Sequence, residues 1–355
     1  MSYHLAHYLA SEGYNVLFIS HKPSFDVPFS VHKDIGDIYV YSWPEKRPTG
    51  IKSLVWFIGL YRRYKPKIII GHFVGGNITA IVSKLYSGFQ TKTCIYYHTI
   101  SKYNIAEWHG SNFKKKWSIL RKKFFYKFFA DLIICPSELA RDDFKSTYLK
   151  SKKCEVVLNP LKDRYAKPDK TDYDKIVISY LGRFEISKGV IELLKAFLEY
   201  TGSNSQTKIR LQFAGRGSLT DEIAKICLNN QAIILKGSVP YNEVDNYLRL
   251  SDYVIIPSLS DNLPTVGIES LMNGVPLLLS AQTGFAHYME DGVNSYLFQP
   301  SVEGILDVFK KIEINQSKYN YMSINARKAY LDNFTLHGYY SKISELLNLL
   351  VSFKP

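Results

Sequence analysis

No stretch of this sequence reaches the roughly 18 to 20 uninterrupted apolar residues that a membrane-spanning helix needs, because Lys, Arg, Asp or Gly interrupts each apolar run. The opening MSYHLAHYLASEGYNVLFIS also lacks the basic start, apolar core and small-residue cleavage site of an export signal, so a cytoplasmic chain is expected. Cysteine is scarce: Cys94, Cys135, Cys154 and Cys227 are scattered, with no pair at the spacing structural zinc prefers. Free thiols are expected, and no metal. Acidic residues are sparse in one half only. Residues 1–170 hold 28 Lys and Arg against 13 Asp and Glu, whereas residues 171–355 hold 17 against 19. A basic first half implies an anionic partner: a phosphorylated substrate, a phospholipid surface or nucleic acid.

What is present fits two ordinary domains. A chain of 355 residues exceeds one core and suits two of about 150 to 200 residues each, and 46% hydrophobic with 22% charged residues is a globular composition. Short β-branched or aromatic runs alternate with helical stretches, as in a parallel sheet covered by helices. Strands are predicted at Asn15–Ser20, Lys67–Gly71, Thr93–Tyr97, Asp131–Cys135 and Glu155–Leu158. After the polar stretch Lys162–Asp174, read as a linker, the pattern restarts. Strands Lys175–Leu181, Ile209–Ala214, Ala232–Lys236, Tyr253–Ile256 and Pro276–Ser280 alternate with helices Val190–Tyr200, Leu219–Asn229, Asn242–Leu250 and Thr265–Asn273. Two doubly wound domains facing across a cleft are expected, with ligands at the carboxyl ends of the strands. The chain opens on an amphipathic helix, Tyr3–Ser11, where such a domain ordinarily begins with a strand and a glycine-rich turn. A missing first strand, or a start upstream, is expected.

Three segments carry chemistry. Strand Lys175–Leu181 runs into Gly182 and Arg183, with Lys188 and Gly189 five residues on; a glycine turn projecting two cations suits a diphosphate or, equally, a solvated loop. In FAGRGSLTDEI, Gly215 and Gly217 invite a dinucleotide-fold reading, but Thr220 stands at the third glycine position, so a tight turn explains them better. The most specific segment is Ser258–Ser280. Its helix starts near Pro264 with Asn262 or Asp261 as cap, which aims the amides of Thr265 and Val266 outward as phosphate donors. Asp261 and Glu269, eight positions apart, place one acid in the loop and another on the helix; the alternative is a capping Asp and a surface Glu.

At these residues the chain resembles glycosyltransferase family four, retaining enzymes of the GT-B fold that include bacterial α-mannosyl- and glucosyltransferases. The resemblance covers nearly the whole chain. It implies an acceptor-side domain at 1–170, a nucleotide-sugar-binding domain at 171–337 and a C-terminal segment, 338–355, whose helix Gly338–Leu350 crosses back to the first. It further implies that Arg183 and Lys188 bind the donor diphosphate, that Glu269 holds the ribose and Asp261 the donor sugar, and that Gly237, Ser238 and Val239 lie against the base. The family usually carries Glu where this chain has Asp261. His98, ending the strand in CIYYHTIS, matches a family position facing the donor sugar, and His72 beside Gly75 and Gly76 is an acceptor-side candidate. Two departures stand out. The family's glycine-rich loop after its first strand has no counterpart, and the Gly-Gly-x-Pro-Glu of relatives reads Thr283, Gly284, Phe285, Ala286, His287.

The resemblance implies retaining, metal-independent sugar transfer from a UDP- or GDP-linked donor, with no cofactor, to a glycan or lipid-linked acceptor of surface polysaccharide. Between Lys114 and Lys127, seven cations interleave with Trp117, Phe124, Phe125 and Tyr126. That composition suits a helix on an anionic membrane face, placing the protein peripherally on the inner face of the cell membrane; a nucleic-acid site and a solvated helix are the alternatives. Rival functions are a non-catalytic glycosyltransferase-like subunit and a nucleotide-sugar epimerase.

Overall fold

Parallel βα alternation places every strand's carboxyl end on one edge of its sheet, and the computed structural model shows this twice. The chain divides into two compact units, Met1–Asn159 with His337–Pro355, and Pro160–Leu336. The structure describes residues 2–21, 28–33, 35–101, 111–165, 174–228 and 230–352. Most of the expected linker, 166–173, and Asn229 at the end of one expected helix lie outside them.

In the first unit, helix α1 (Ser2–Ser11) precedes strands β1 (Val16–Ser20), β2 (Phe29–His32) and β3 (Asp37–Ser42), which form a sheet in the order β1-β3-β2. Helix α2 (Ile51–Tyr64), strand β4 (Ile68–Gly71), helix α3 (Phe73–Tyr86), strand β5 (Lys92–Tyr96), helix α4 (Asn112–Phe129), strand β6 (Leu132–Cys135), helix α5 (Glu138–Thr147) and strand β7 (Cys154–Val156) follow. Strands β4 to β7 make a four-stranded parallel sheet in sequential order. Close approach of α3 to β4 depends on glycine: a Cβ on Gly76 would come within 2.6 Å of the Gly71 Cα. The β2–β3 pair was not foreseen, although DIYVYS alternates and buries Ile38 and Val40.

The second unit contains β8 (Ile176–Leu181), α6 (Val190–Ser203), β9 (Ile209–Ala214), α7 (Thr220–Cys227), β10 (Ile233–Lys236), α8 (Val244–Arg249), β11 (Tyr253–Ile256), α9 (Thr265–Met272), β12 (Leu277–Ser280), β13 (Ser295–Phe298), α10 (Val302–Ile314) and α11 (Tyr319–Asn333). Its six strands are all parallel, in the order β10-β9-β8-β11-β12-β13. From β8 the chain builds outward to β10, then returns to the other side of β8 for β11. The gap between β8 and β11 is therefore a topological switch point, where open α/β sheets bind ligands. The core beneath includes Phe184, Phe197, Phe213 and Phe309, all fully buried.

The last helix, α12 (Leu336–Ser352), packs Tyr339, Ile343, Leu346 and Leu347 into the core that holds Leu5, Leu9, Tyr96 and Leu132 of the first unit. No described helix is long and apolar enough to cross a membrane.

Candidate functional site

At the carboxyl edge of the second sheet, the loops after β8, β9 and β10 are bonded to one another. Gly182 donates its amide to Ala214, Gly215 to Gly237, and Phe184 to Arg216. Gly215 has φ +145°, and a Cβ there would lie 1.8 Å from the Gly182 carbonyl oxygen. The tight-turn reading of Gly215 and Gly217 thus has a physical cause: no side chain fits between the two loops. Tyr180 donates its hydroxyl to the Arg183 carbonyl at 2.7 Å, and Phe184 is buried against Phe213. With Phe184 anchored inward, Arg183 is exposed. Gly237 and Ser238 are exposed in the third of these loops, and Val239 is half-buried.

Across the switch point, Leu259 donates its amide to Ser187 at 3.0 Å, and Lys188 donates to the Asp261 carboxylate. Both side chains are mostly buried. Gly189 makes the approach possible: its φ is +65°, and a Cβ would sit 2.0 Å from the Pro257 carbonyl oxygen. The capping expected of Asp261 is not found. Helix α9 has Pro264 as its N-cap residue without a side-chain cap, while Asp261 receives the Asn262 amide and the Lys188 ammonium. The physical reason is charge: a neighbouring ammonium holds a carboxylate more strongly than a helix-end amide does. Thr265 and Val266 are the first two residues of α9, where amides lack intrahelical acceptors. Asp261 also accepts from the Gly284 amide through its carbonyl, so the Thr283–His287 segment supports the loop while His287 itself is exposed.

Glu269 is buried, which removes the surface-Glu alternative. Its carboxylate lies 3.8 Å from the Arg164 guanidinium. Arg164 is in turn fixed by two bonds to Asp245, at 2.7 and 3.2 Å, and one to the Tyr241 hydroxyl at 3.0 Å. Burial pushes the Glu269 pKa up to about 7; Arg164 opposes the rise and Asp245 adds to it. Sequence reasoning missed Arg164 because it falls in the polar stretch read as linker. Asp245, on α8, carried no spacing signal.

In the first unit, His98 follows β5 and His72 follows β4, the adjacent parallel strand. His72 Nδ1 is 3.0 Å from His98 Nε2. Sequence analysis assigned the two to different roles, but the structure makes them partners. Burial lowers the pKa of His98 and, with the like charge of His98, pushes that of His72 down to about 3. Both are neutral near pH 7, so one donates and the other accepts. The turn beyond His98 is pinned: Ser101 donates its amide to Asp143 at 2.7 Å, and the Tyr97 hydroxyl donates to the same carboxylate.

Helix α4 sorts its aromatics. Phe125 and Tyr126 pack inward with Ile119, whereas Trp117 and Phe124 point outward and are joined by Phe113, Leu120 and Phe128. The outward set, at positions 113, 117, 120, 124 and 128, follows helical spacing and forms one stripe. By the same 100° periodicity, Lys114 and Arg121 flank it on one side and Lys116, Lys123 and Lys127 on the other.

Comparison with known proteins adds lineage. A family model described as glycosyl transferases group 1 matches residues 162–329, and one described as glycosyltransferase family 4 matches residues 1–163. A putative teichuronic acid biosynthesis glycosyltransferase of Bacillus subtilis is 27% identical over 40% of this chain and 34% of its own. A lipopolysaccharide 1,2-N-acetylglucosaminetransferase of Salmonella typhimurium is 26% identical over 35% of each chain. The alignments thus span about a third of these relatives' length. Among solved structures, a sucrose-phosphate synthase of Thermosynechococcus elongatus superposes with TM-score 0.78 at 15% identity, over 99% of this chain and 92% of that one. HepE of Anabaena, solved with UDP, gives 0.72 at 15% identity, over 88% and 86%. At such identity the structural likeness shows the fold alone, the GT-B pair of Rossmann-like sheets. With one matched family on each half of that fold, meeting at residues 162–163, the chain belongs to the family-four glycosyltransferases.

Proposed function

We propose that the protein transfers a sugar from a nucleoside diphosphate-sugar to a hydroxyl of a glycan or lipid-linked acceptor, with the anomeric configuration retained. The observation that carries the proposal is the switch-point cluster: Arg183, Lys188 and the start of α9 at one sheet edge, with Glu269 buried on the same helix. In the transfer, the bond from the anomeric carbon to the diphosphate breaks, one to the acceptor oxygen forms, and the hydroxyl proton leaves with the diphosphate. Fixed cations and helix-end amides stabilise the departing charge without reorganising. Glu269 accepts from the ribose hydroxyls, and Gly237–Val239 lie against the base. Asp261, held by Lys188, accepts from the donor sugar or sets the ammonium's position beside the diphosphate. Neutral His98, at the carboxyl end of β5 in the first unit, is the hydrogen-bonding group this reading offers a sugar there. No cofactor or metal enters this reading.

The relatives supply the class of donor and product to test first, because HepE is solved with UDP and UDP-glucose and two relatives are named for teichuronic acid and lipopolysaccharide synthesis. The α4 stripe between its two rows of cations suits peripheral attachment to an anionic membrane face, where a lipid-linked acceptor resides. A screen of UDP- and GDP-sugars for thermal stabilisation selects the donor, and NMR of the product's anomeric proton reads the stereochemistry. Transfer with inverted configuration contradicts the retaining assignment; product formed from donor with no acceptor favours epimerase chemistry.

A further inference from the structure

Four near-parallel rings cluster at the carboxyl ends of β4 and β5. Tyr96 is buried, with its hydroxyl 2.6 Å from that of Tyr339. His72 lies on it with centroids 4.1 Å apart and planes 22° apart; His98 sits beside both, 5.4 Å from Tyr96 and 5.3 Å from His72, to whose ring edge it is hydrogen-bonded. Phe73 lies over His98 at 4.6 Å and 20°. The Phe73 ring is 70% exposed, so burial does not account for it. Its backbone is also disfavoured: φ is +56°, in the left-handed region where a bulky residue is uncommon. A glycine would satisfy that backbone. The chain instead holds a phenyl face outward over His98, at an edge where α/β sheets bind ligands.

We infer that the Phe73 ring, backed by His98, is a carbohydrate platform that takes the apolar face of a pyranose at the carboxyl ends of β4 and β5. A pyranose presents a patch of C–H groups on one face and hydroxyls around its rim. Such a patch packs on the electron-rich face of an aromatic ring while the rim stays hydrogen-bonded. Phe73 thereby sets the orientation of the sugar. The inference rests on the sugar-transfer reading for the ligand class, and a pyranose belongs equally to donor and acceptor.

The test is saturation-transfer NMR on the full chain with methyl glycosides of glucose, galactose, mannose and N-acetylglucosamine, without nucleotide. Phe73→Gly removes the ring while accepting the positive φ, so folding is preserved, and Phe73→Trp keeps an aromatic face. The native protein and Phe73→Trp are expected to saturate the ring C–H protons of at least one glycoside, and Phe73→Gly to lose that signal at least fivefold with an unchanged melting temperature. No signal with any of the four in the native protein, or an undiminished signal in Phe73→Gly, overturns the inference. Kinetics then separate the sources: Phe73→Gly raises the acceptor KM alone if the platform holds the acceptor, and the KM for donor hydrolysis if it holds the donor. Stacking that survives while no nucleotide-sugar is turned over would refute the transfer reading and leave the platform standing.

Discussion

Lys188 donates to the carboxylate of Asp261 across the switch point of the second sheet, joining the loop after β8 to the loop after β11. In a site that binds diphosphate, this pair sets the charge the ligand meets. Lys188→Met leaves Asp261 as an uncompensated anion, and nucleotide affinity measured by calorimetry is expected to fall at least about tenfold, or about 1.4 kcal/mol. Adding Asp261→Asn to Lys188→Met removes the stranded charge. The double variant is expected to bind nucleotide better than Lys188→Met alone while Asp261→Asn in the native background gives no such gain, a non-additivity that independent sites do not show.

Glu269 gives the site a pH dependence. A carboxyl that titrates near 7 when folded and at its ordinary 4.5 when unfolded binds more protons in the folded chain. Its contribution to stability is therefore complete below pH 4.5, declines as pH rises, and is gone above about 7. Glu269→Gln is expected to flatten denaturation midpoints over that window, on the order of 3 kcal/mol between its ends. Ribose binding needs the carboxylate, so nucleotide affinity should rise with pH through about 7 in the native protein and stay flat in Glu269→Gln.

Arg164 acts through Glu269. Because its guanidinium opposes the upward shift, Arg164→Ala is expected to move the midpoint of pH-dependent nucleotide binding above that of the native protein, and Arg164→Lys to restore part of the difference. An unmoved midpoint would show that Arg164 serves only to tie the chain to Asp245.

Gly189 tests the backbone of the site. Gly189→Ala places a Cβ against the Pro257 carbonyl at a positive φ, and an equilibrium loss of roughly 2 kcal/mol or more is expected. Nucleotide affinity should fall with it, since the same glycine allows Lys188 to reach Asp261.

The outward stripe of α4 predicts membrane contact separable from folding. Trp117→Glu with Phe124→Glu should abolish sedimentation with phosphatidylglycerol vesicles and leave the melting temperature within about 2 °C, because neither ring is in the core. Binding to neutral phosphatidylcholine vesicles should be weak for native and variant protein alike.

Much of the second unit was legible because its sheet repeats one βα unit: each strand ends in a glycine or polar turn, and the chemistry sits in those turns. Gly182, Lys188, Asp261 and Glu269 could be picked out by residue type and spacing. Their pairings could not. The bond from Lys188 to Asp261 spans 73 positions, and Arg164 reaches Glu269 from a stretch whose polarity resembles a linker. Gly75 and Gly76 lie within α3 although they lower helix propensity, and they are present because Trp43 and Gly71 press against them. Composition gave the basic aromatic helix but not its orientation; Phe125 and Tyr126 turn inward because Phe144 and Tyr148 meet them there.

The central claim is that the switch-point cations carry the departing diphosphate during sugar transfer. Release of nucleoside diphosphate from the best-stabilising UDP- or GDP-sugar, measured in the presence of acceptor for the native chain and for Arg183→Ala with Lys188→Met, tests it most directly. The account predicts steady release by the native protein and a loss of at least about a thousandfold in the double variant, a scale set by removing two charged donors to a leaving group. Release undiminished in the double variant would contradict it.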